Sequence, residues 1–453
     1  MSGVPASRDS FGSRFGVIAA TAGSAIGLGN IWRFPYVVGE NGGGAFLIVY
    51  LAFVVAIGLP VMMSEFVIGR SSQRNAFGAF KFLAPGKPWS VVGIMGVAAA
   101  FMILAFYTAV AGWTLEYIYQ SFTNGFAGKN ATELTAMFND FRSGSSRPLL
   151  WFFVFMGLTA LIIVSGVKNG IEKYTKILMP ILFVILIVLC IRSLTLDGAA
   201  GGMEFLFKPD FSKLTASTIL EALGQAFFSL SIGMGTLITY SSYIQKKENL
   251  GSAALSVAFT DTLIAVLAGV AIFPAVFAFG IEPGSGEGLV YITLPNIFQQ
   301  MTGGYFFSIL FFLLLGVAAL TSTISVLEVI VAYFVEEFRV SRKKATWLAA
   351  ASVSVLGFMC ALSWGPMKDV SILGKNVFEL LDFTSANILL PLGGLLIVLF
   401  VGWFLGRKRT EMELSNDGDL KLWYITPFML IVKFIAPFAI AMVFLQQIGL
   451  LSF

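Results

Sequence analysis

The chain has 453 residues, of which 57% are hydrophobic and only 12% are charged, and its mean hydropathy is +0.86. This composition lies outside the range of soluble globular proteins. Histidine is absent and there are only two cysteines, Cys190 and Cys360, which excludes a soft-metal site and a disulfide framework. No basic patch with interleaved aromatic residues supports binding to nucleic acid. The chain is therefore expected to be an integral membrane protein surrounded by lipid.

Apolar runs long enough to cross the hydrocarbon core of a bilayer recur along the chain, separated by short charged connectors. They predict an all-α protein with eleven transmembrane helices, at residues 13–38, 43–70, 89–121, 149–166, 172–193, 218–242, 252–280, 304–336, 343–363, 377–405 and 424–449. The run 289–301 has apolar residues at helical spacing but is too short to span, and it predicts a short outer helix.

The distribution of basic residues predicts the orientation of these spans. With the N-terminus in the cytoplasm, nineteen lysines and arginines fall in inner segments and eight in outer ones. This bias agrees with the preference of basic loops for the cytoplasmic side. An odd number of spans then leaves the C-terminus outside.

Two of the spans are interrupted by small and polar residues at their centres. The first span contains Gly23, Gly27 and Gly29, and the sixth contains Ser229, Ser231, Gly233 and Gly235. Glycines can simply let helices pack closely, and for either span alone that alternative stays open. It does not explain why the interruptions recur five spans apart, in helices of opposite orientation. Paired broken helices in two inverted halves are typical of transporters whose binding site lies at the membrane midplane.

Polar side chains cluster around these interruptions in the sequence. They are Asn30, Ser229, Asp261, Thr321, Ser322 and Thr323. Their oxygen atoms suit a hard cation such as sodium, and free backbone amides suit a substrate carboxylate. Two alternatives remain open at this point. Asp261 could lie at the inner end of its span and reach water or Lys246 and Lys247, and the hydroxyls could bond back to the preceding helical turn.

Charged residues at the two ends of the spans are candidates for gates. Arg33 needs an anion, and Asp382 is a plausible partner near the outer surface, although Arg33 could instead extend toward the lipid headgroups. Arg8 and Glu336 could pair at the inner face or be solvated separately.

The motifs AGSAIGLGNIWRFPY followed by ENGGGAF, GQAFFSLSIGMGTLITYSSY, and AALTSTIS followed by EEFRVSRK resemble the neurotransmitter:sodium symporter family. Within that family the motifs resemble those of bacterial amino-acid transporters with the LeuT-type fold, over about residues 8–449. The resemblance implies one transporter domain over 1–453, with inverted five-helix repeats at 13–193 and 218–405, an additional helix at 424–449, and unwound first and sixth helices. It also implies a multi-pass protein of the inner cell membrane that is not an enzyme and functions as a monomer.

Carried over position by position, the resemblance implies two sodium sites. The first uses Ala25, Asn30, Ser229 and Asp261, and the second uses Gly23, Ile26, Ala318, Thr321 and Ser322. The implied substrate site uses Ala25, Leu28, Gly29, Ile103, Tyr107, Phe228, Ser229, Ser231, Met234, Ser322 and Val326. The implied outer gate is Arg33 with Asp382, and the implied inner gate is Arg8 with Glu336 and Tyr243.

Two departures from the animal members of the family refine the expected activity. Tyr50, Gln225 and Ser229 are kept where those relatives bind chloride, but Asp261 stands where they have asparagine. A built-in carboxylate would repel chloride, which predicts chloride independence. Ser24 and Ala25 stand where amine carriers place an aspartate, which predicts a substrate with its own carboxylate.

The side chains that should face the substrate predict its character. Ile103, Met234 and Val326 are apolar, and methionine adapts its shape readily. We expect sodium-coupled import of neutral hydrophobic or aromatic L-amino acids by alternating access. A channel or sensor with the same fold is the alternative. An enzyme is disfavoured, because no nucleophile-base pair or cofactor motif is present.

Overall fold

Helices account for nearly all of the chain in the computed structural model, which describes residues 10–281 and 288–451. The first half contains α1 (Arg14–Ala25), α2 (Gly29–Glu40), α3 (Gly44–Ser72), α4 (Ala76–Leu83), α5 (Ser90–Phe122), α6 (Ala131–Ser143), α7 (Ser146–Val164), α8 (Val167–Leu194) and α9 (Ala199–Phe207). The 3-10 turn Phe211–Lys213 precedes the second half.

The second half repeats the pattern of long helices. It contains α10 (Ala216–Ser229), α11 (Thr236–Ser241), α12 (Leu250–Ala278), α13 (Leu294–Gln300), α14 (Gly304–Glu337), α15 (Arg342–Ala361), α16 (Val377–Leu414) and α17 (Ile425–Gln447). A π-helical turn, Leu289–Thr293, leads into α13. A short hairpin precedes α16. Its two antiparallel strands, β1 (Ser371–Ile372) and β2 (Lys375–Asn376), have two residues each.

The spans agree with the hydropathy pattern of the sequence. Within the described chain, nine helices are long and apolar enough to cross a membrane, and the pair α1 and α2, bent by 52°, makes a tenth. The predicted span 218–242 corresponds to α10 and α11, which are separated by residues 230–235. These helices are thus consistent with eleven spans, and the predicted short helix is present over 289–300.

The tenth span differs from its prediction, because α16 continues to Leu414 rather than ending near 405. The added residues, GRKRTEMEL, are polar, so a hydropathy pattern does not register them as part of the helix. Their helical continuation is stabilised by contacts with the inner end of α3. Arg70 is fully buried there, and its guanidinium donates to the Glu413 side chain and carbonyl and to the Glu248 carbonyl.

The breaks lie where the central helices meet. Two long central helices, α5 and α14, pack against each other, and α1 packs against α8, α12 and α14. The break between α10 and α11 includes the left-handed residues Ser231 (φ 55°) and Gly233 (φ 84°). A glycine adopts this conformation without steric cost. The chain can therefore stop and restart a helix here without leaving the buried interior.

Candidate functional site at the two helix breaks

The break between α1 and α2 leaves backbone amides that no helical carbonyl can reach. Side-chain oxygens accept hydrogen bonds from these amides instead. The Leu28 amide donates to the Tyr107 hydroxyl at 2.7 Å, and the Gly27 amide donates to Asn30 Oδ1 at 3.0 Å. Both amides are buried, so leaving them unpaired would be costly. Neutral side-chain oxygens thus lie where a substrate carboxylate is expected to bind.

The carbonyl side of the same break faces α14. The Ile26 carbonyl accepts hydrogen bonds from Ser322 Oγ at 3.1 Å and from Thr321 Oγ1 at 3.3 Å. Thr321 Oγ1 also lies 3.0 Å from the Ala318 carbonyl. A Cβ atom added to Gly23 would lie 3.5 Å from the Thr321 side chain, so Gly23 is next to it. All five residues predicted for the second sodium site are therefore neighbours. The Thr321 hydroxyl combines a bond back to its own helix with a bond across the break, and the Ser322 hydroxyl bonds across the break.

The side chains predicted for the first sodium site contact one another directly. Asn30 and Asp261 are fully buried, and Ser229 is 1% exposed. Asn30 Nδ2 donates to Asp261 Oδ1 at 2.7 Å and to Ser229 Oγ at 3.2 Å, and Ser229 Oγ donates to Asp261 Oδ2 at 2.7 Å. The interpretation of Asp261 as a solvated acid at the inner end of its span is wrong, because neighbouring helices enclose it.

This trio joins α2, α10 and α12 in one buried polar contact. It offers a carboxylate, an amide oxygen and a hydroxyl, which are the oxygen ligands that hard cations prefer. Ala25, the remaining predicted ligand, is buried at the last turn of α1. Among the described residues Asp261 has no basic partner, so its charge is compensated here only by hydrogen bonds.

At two of the glycines in the first break there is no room for a side chain. A Cβ atom at Gly27 would lie 2.2 Å from Ser322 Oγ and 2.6 Å from the Tyr107 hydroxyl. At Gly29 it would lie 3.0 Å from Cε1 of Phe228. The glycines therefore let side chains from three other helices reach the unwound backbone, which simple helix-helix packing would not require.

A cavity of about 110 Å³ lies next to this region, on the side that the predicted topology places outside, and is called the outer cavity. Six predicted residues line it: Leu28, Gly29, Tyr107, Phe228, Arg33 and Asp382. Sequence reasoning missed the other five, which are Trp32, Tyr36, Phe106, Val110 and Phe378. Trp32 and Tyr36 are visible in the first motif as aromatic residues one turn apart, but their direction depends on how α2 bends. The wall of this cavity is mainly aromatic and apolar.

Arg33 and Asp382 line the same cavity without forming an ion pair among the described residues. The Arg33 guanidinium instead lies 4.3 Å from the centroid of the Phe228 ring. Arginine over an aromatic face is a favourable cation-π contact. In this conformation the Arg33 guanidinium therefore packs on the Phe228 ring. Within the described chain, Arg33 and Asp382, the predicted outer gate, lie at one cavity without an ion pair between them.

The remaining residues predicted for the substrate pocket lie deeper. Ile103, Met234 and Val326 are 3%, 4% and 6% exposed, and none of them lines the outer cavity. Ser231 Oγ donates to the Ser24 carbonyl at 3.2 Å, which links the two breaks. These apolar side chains are enclosed in the interior, as expected for a pocket that excludes water.

The second break has a partner that the sequence analysis missed. Glu65 of α3 is fully buried, and its Oε1 accepts the Gly233 amide at 2.8 Å. A single acid within the apolar run of span two was the available signal, since such acids are costly in a membrane. Its partner could not be foreseen, because Gly233 is 168 residues away.

At the inner end, the predicted gate residues Glu336 and Tyr243 make polar contacts with neighbouring elements. Arg8 lies outside the described residues. Glu336 accepts hydrogen bonds from the Asn75 amide and side chain, both at 2.9 Å. Tyr243 donates to Glu328 at 2.7 Å, a fully buried acid that was missed in the sequence.

Glu328 is also paired with a base. Arg342, at the start of α15, donates to both carboxylate oxygens of Glu328 and, at 2.9 Å, to the Ile163 carbonyl. Tyr243 thus lies in a polar network at the inner end that ties α14 to α15 and to the end of α7.

Comparison with known proteins gives matches along the whole chain. The model of the sodium:neurotransmitter symporter family matches residues 8–140 and 142–452. An uncharacterized sodium-dependent transporter of Bacillus subtilis, YhdH, is 42% identical, with 97% of this chain and 98% of the relative covered. An uncharacterized sodium-dependent transporter of Haemophilus influenzae is 40% identical, with coverage of 97% and 98%.

A solved structure is also similar. The crystal structure of MhsT in complex with L-phenylalanine superposes with a TM-score of 0.90 at 48% sequence identity, and it covers 97% of this chain and 100% of that chain. The sodium-dependent serotonin transporter of Drosophila melanogaster is more distant, with 29% identity over 94% of this chain and 76% of the relative.

Proposed function

The chain belongs to the sodium:neurotransmitter symporter family, and from this premise we propose that it imports neutral hydrophobic or aromatic L-amino acids together with sodium. As a member it is a multi-pass, sodium-coupled transporter and not an enzyme. The observation that carries the proposal is the contact of Asn30, Ser229 and Asp261 beside the unwound backbone of the first span. Sodium and substrate would bind at one place, which is what coupling requires.

Sodium at the first site would exchange internal hydrogen bonds for ion contacts. Asn30 now directs its Nδ2 at Asp261, and binding requires its oxygen and those of Ser229 and Asp261 to face the ion. The second ion would bind among the Ile26 and Ala318 carbonyls and the Thr321 and Ser322 hydroxyls. The two separate sets of oxygen ligands support a proposal of two ions per substrate.

The substrate carboxylate would take the place of the Tyr107 hydroxyl as a partner of the Leu28 amide, or share it. Its side chain would then extend toward Ile103, Met234 and Val326, which are buried and apolar. The bound L-phenylalanine of MhsT, a protein 48% identical to this one, supports an amino acid with an apolar side chain. The aromatic ring of Phe228 would close over the substrate from the outer side.

Alternating access would open the site to one side at a time. Arg33, Phe228 and Asp382 would close the outer path, and Tyr243 and Glu336, with Arg8, the inner path. Asp261 supplies a negative charge beside the first ion, so chloride is not needed to neutralise it. We place the protein in the inner cell membrane as a functional monomer, with the N-terminus inside and the C-terminus outside.

Transport by purified protein in liposomes tests the proposal. We expect radiolabelled L-phenylalanine to accumulate against its gradient when sodium is high outside, and not when potassium replaces sodium. Replacing chloride with gluconate should leave uptake unchanged. Sodium-independent downhill flux would instead indicate a channel, and a preference for glycine, lysine or glutamate would contradict the apolar pocket.

A further inference from the structure

A second, smaller cavity lies behind Phe228, between the outer half of the broken sixth span and the last helix. It has a volume of about 20 Å³, and Arg33 and Phe228 line both this cavity and the outer one. The two side chains therefore form the wall between the cavities. Apolar side chains such as Leu390 and Ile440 line much of the rest, and Gln447 of α17 contributes a polar group.

Two buried polar atoms among the residues that line this small cavity lack hydrogen-bond partners within the described chain. They are Arg33 Nε, a donor, and Gln447 Oε1, an acceptor. Buried donors and acceptors in proteins are nearly always paired, directly or through water. Because one atom donates and the other accepts, each supplies what the other lacks.

The size of the cavity decides how they can be joined. A site needs about 10–15 Å³ to hold a water molecule, and this one has room for one. Such a water would accept from Arg33 Nε and donate to Gln447 Oε1, so both bonds have the right polarity. Gly224 leaves the room for the amide, since a Cβ atom there would lie 3.1 Å from Gln447 Nε2.

We propose that Gln447 is a positioning residue for the outer gate, which holds the Arg33 guanidinium over the Phe228 ring through one bridging water. Fixing Nε restricts the orientation of the guanidinium, whose Cζ atom lies 4.3 Å from the centroid of the ring. The last helix, which lies outside both predicted repeats, thereby contributes to closing the outer path. This inference rests on the proposed function, in which Arg33 and Phe228 close over the substrate.

Exchange of the Arg33 Nε proton with water provides a test that does not depend on transport. The protein is labelled with ¹⁵N-arginine in nanodiscs, and the Arg33 signal is identified by its loss in Arg33→Lys. We expect slow exchange in the unmodified protein and exchange about tenfold faster in Gln447→Met, because the acceptor is lost at similar side-chain length. Gln447→Glu keeps an acceptor oxygen and should restore slow exchange.

The neighbouring glutamine supplies a matched control. Gln446 donates to Ser217 and does not line the cavity, so Gln446→Met should leave the exchange rate unchanged. Equal exchange rates in Gln447→Met and the unmodified protein would overturn the inference. An equal acceleration in Gln446→Met would also overturn it, because the effect would then come from general loosening of the helix end.

Dissociation of L-phenylalanine in saturating sodium gives a second readout. Gln447→Met should release it about fivefold faster, and the same change in an Arg33→Lys background should have no further effect. An additional acceleration in that background would show that Gln447 acts independently of Arg33 and would contradict the inference. If the unmodified protein does not bind L-phenylalanine, the proposed substrate is wrong, and the proton exchange still decides the role of Gln447.

Discussion

The two interrupted helices leave similar backbone groups unpaired, but different chemistry satisfies them. At the first break the partners are neutral: the Tyr107 hydroxyl, the Asn30 amide and the hydroxyls on α14. At the second break the Gly233 amide is bound by a carboxylate, Glu65. Apart from Asn30, these partners come from helices distant in sequence.

This difference separates a binding role from a structural one. A cation or a substrate carboxylate can replace a neutral hydroxyl without leaving a buried charge unpaired. Neither ligand can replace Glu65 in the same way, because displacing a buried carboxylate from its donors is costly. We therefore expect changes at the first break to alter ligand affinity and changes at the second to alter stability.

The largest effect is expected for Asp261→Asn. The carboxylate is the only formal charge among the predicted sodium ligands, and its loss should cost about 3 kcal/mol, or about a 100-fold rise in the sodium concentration for half-maximal binding. A sodium titration of L-phenylalanine binding measures this. Asp369→Asn, at an exposed site, is the control. An unchanged sodium titration would show that Asp261 is not a sodium ligand.

Glu65→Leu tests the other side of the comparison. It leaves the Gly233 amide buried without a partner, which should lower the free energy of unfolding by about 2 kcal/mol. Thermal unfolding in detergent measures this loss of stability. Glu65→Gln keeps an acceptor for the Gly233 amide and should lose less stability. The sodium dependence of the folded fraction should stay as in the unmodified protein. A shift as large as that of Asp261→Asn would show that the two breaks do not differ in role.

Tyr107→Phe should have a smaller effect on the substrate. It removes the hydroxyl beside the Leu28 amide that would donate to the substrate carboxylate, and it should weaken L-phenylalanine binding about tenfold at saturating sodium, or about 1.4 kcal/mol. Tyr305→Phe, whose hydroxyl bonds to the Phe122 carbonyl in an exposed region, should bind normally. Unchanged affinity in Tyr107→Phe would place the substrate carboxylate elsewhere.

Ser322→Ala should have the smallest effect. It removes one of two hydroxyls next to the Ile26 carbonyl and should raise the half-maximal sodium concentration about fivefold. Thr323→Ala is the matched control, because that hydroxyl bonds to the Leu320 carbonyl and to Thr159 instead. If both variants behave alike, the second sodium site does not include Ser322.

Much of the fold could be predicted because a membrane permits few spanning structures. The apolar runs set the spans, and the match to the MhsT structure confirms the predicted all-α fold. The contact of Asn30 with Asp261, 231 residues apart, was expected from the family resemblance and from the shared preference of their oxygens for a cation. Periodicity alone could not have paired them.

The parts that could not be predicted depend on contacts between distant segments. Glu65 and Glu328 were visible as acids within apolar runs, but their partners, the Gly233 amide and Arg342, are set by how the helices pack. The direction of Arg33 was likewise open. The sequence offered Asp382 or the lipid headgroups, whereas the guanidinium lies over Phe228.

The buried Arg70 has a consequence for biosynthesis. Its carboxylate partner, Glu413, is 343 residues later in the chain, so Arg70 enters the membrane region long before that partner has been synthesised. Until then a charge destined for the interior must remain hydrated at the cytoplasmic surface or be shielded by another protein. A chain that ends before Glu413 would leave the charge of that arginine without its carboxylate partner, with only backbone carbonyls such as that of Glu248 to bind it.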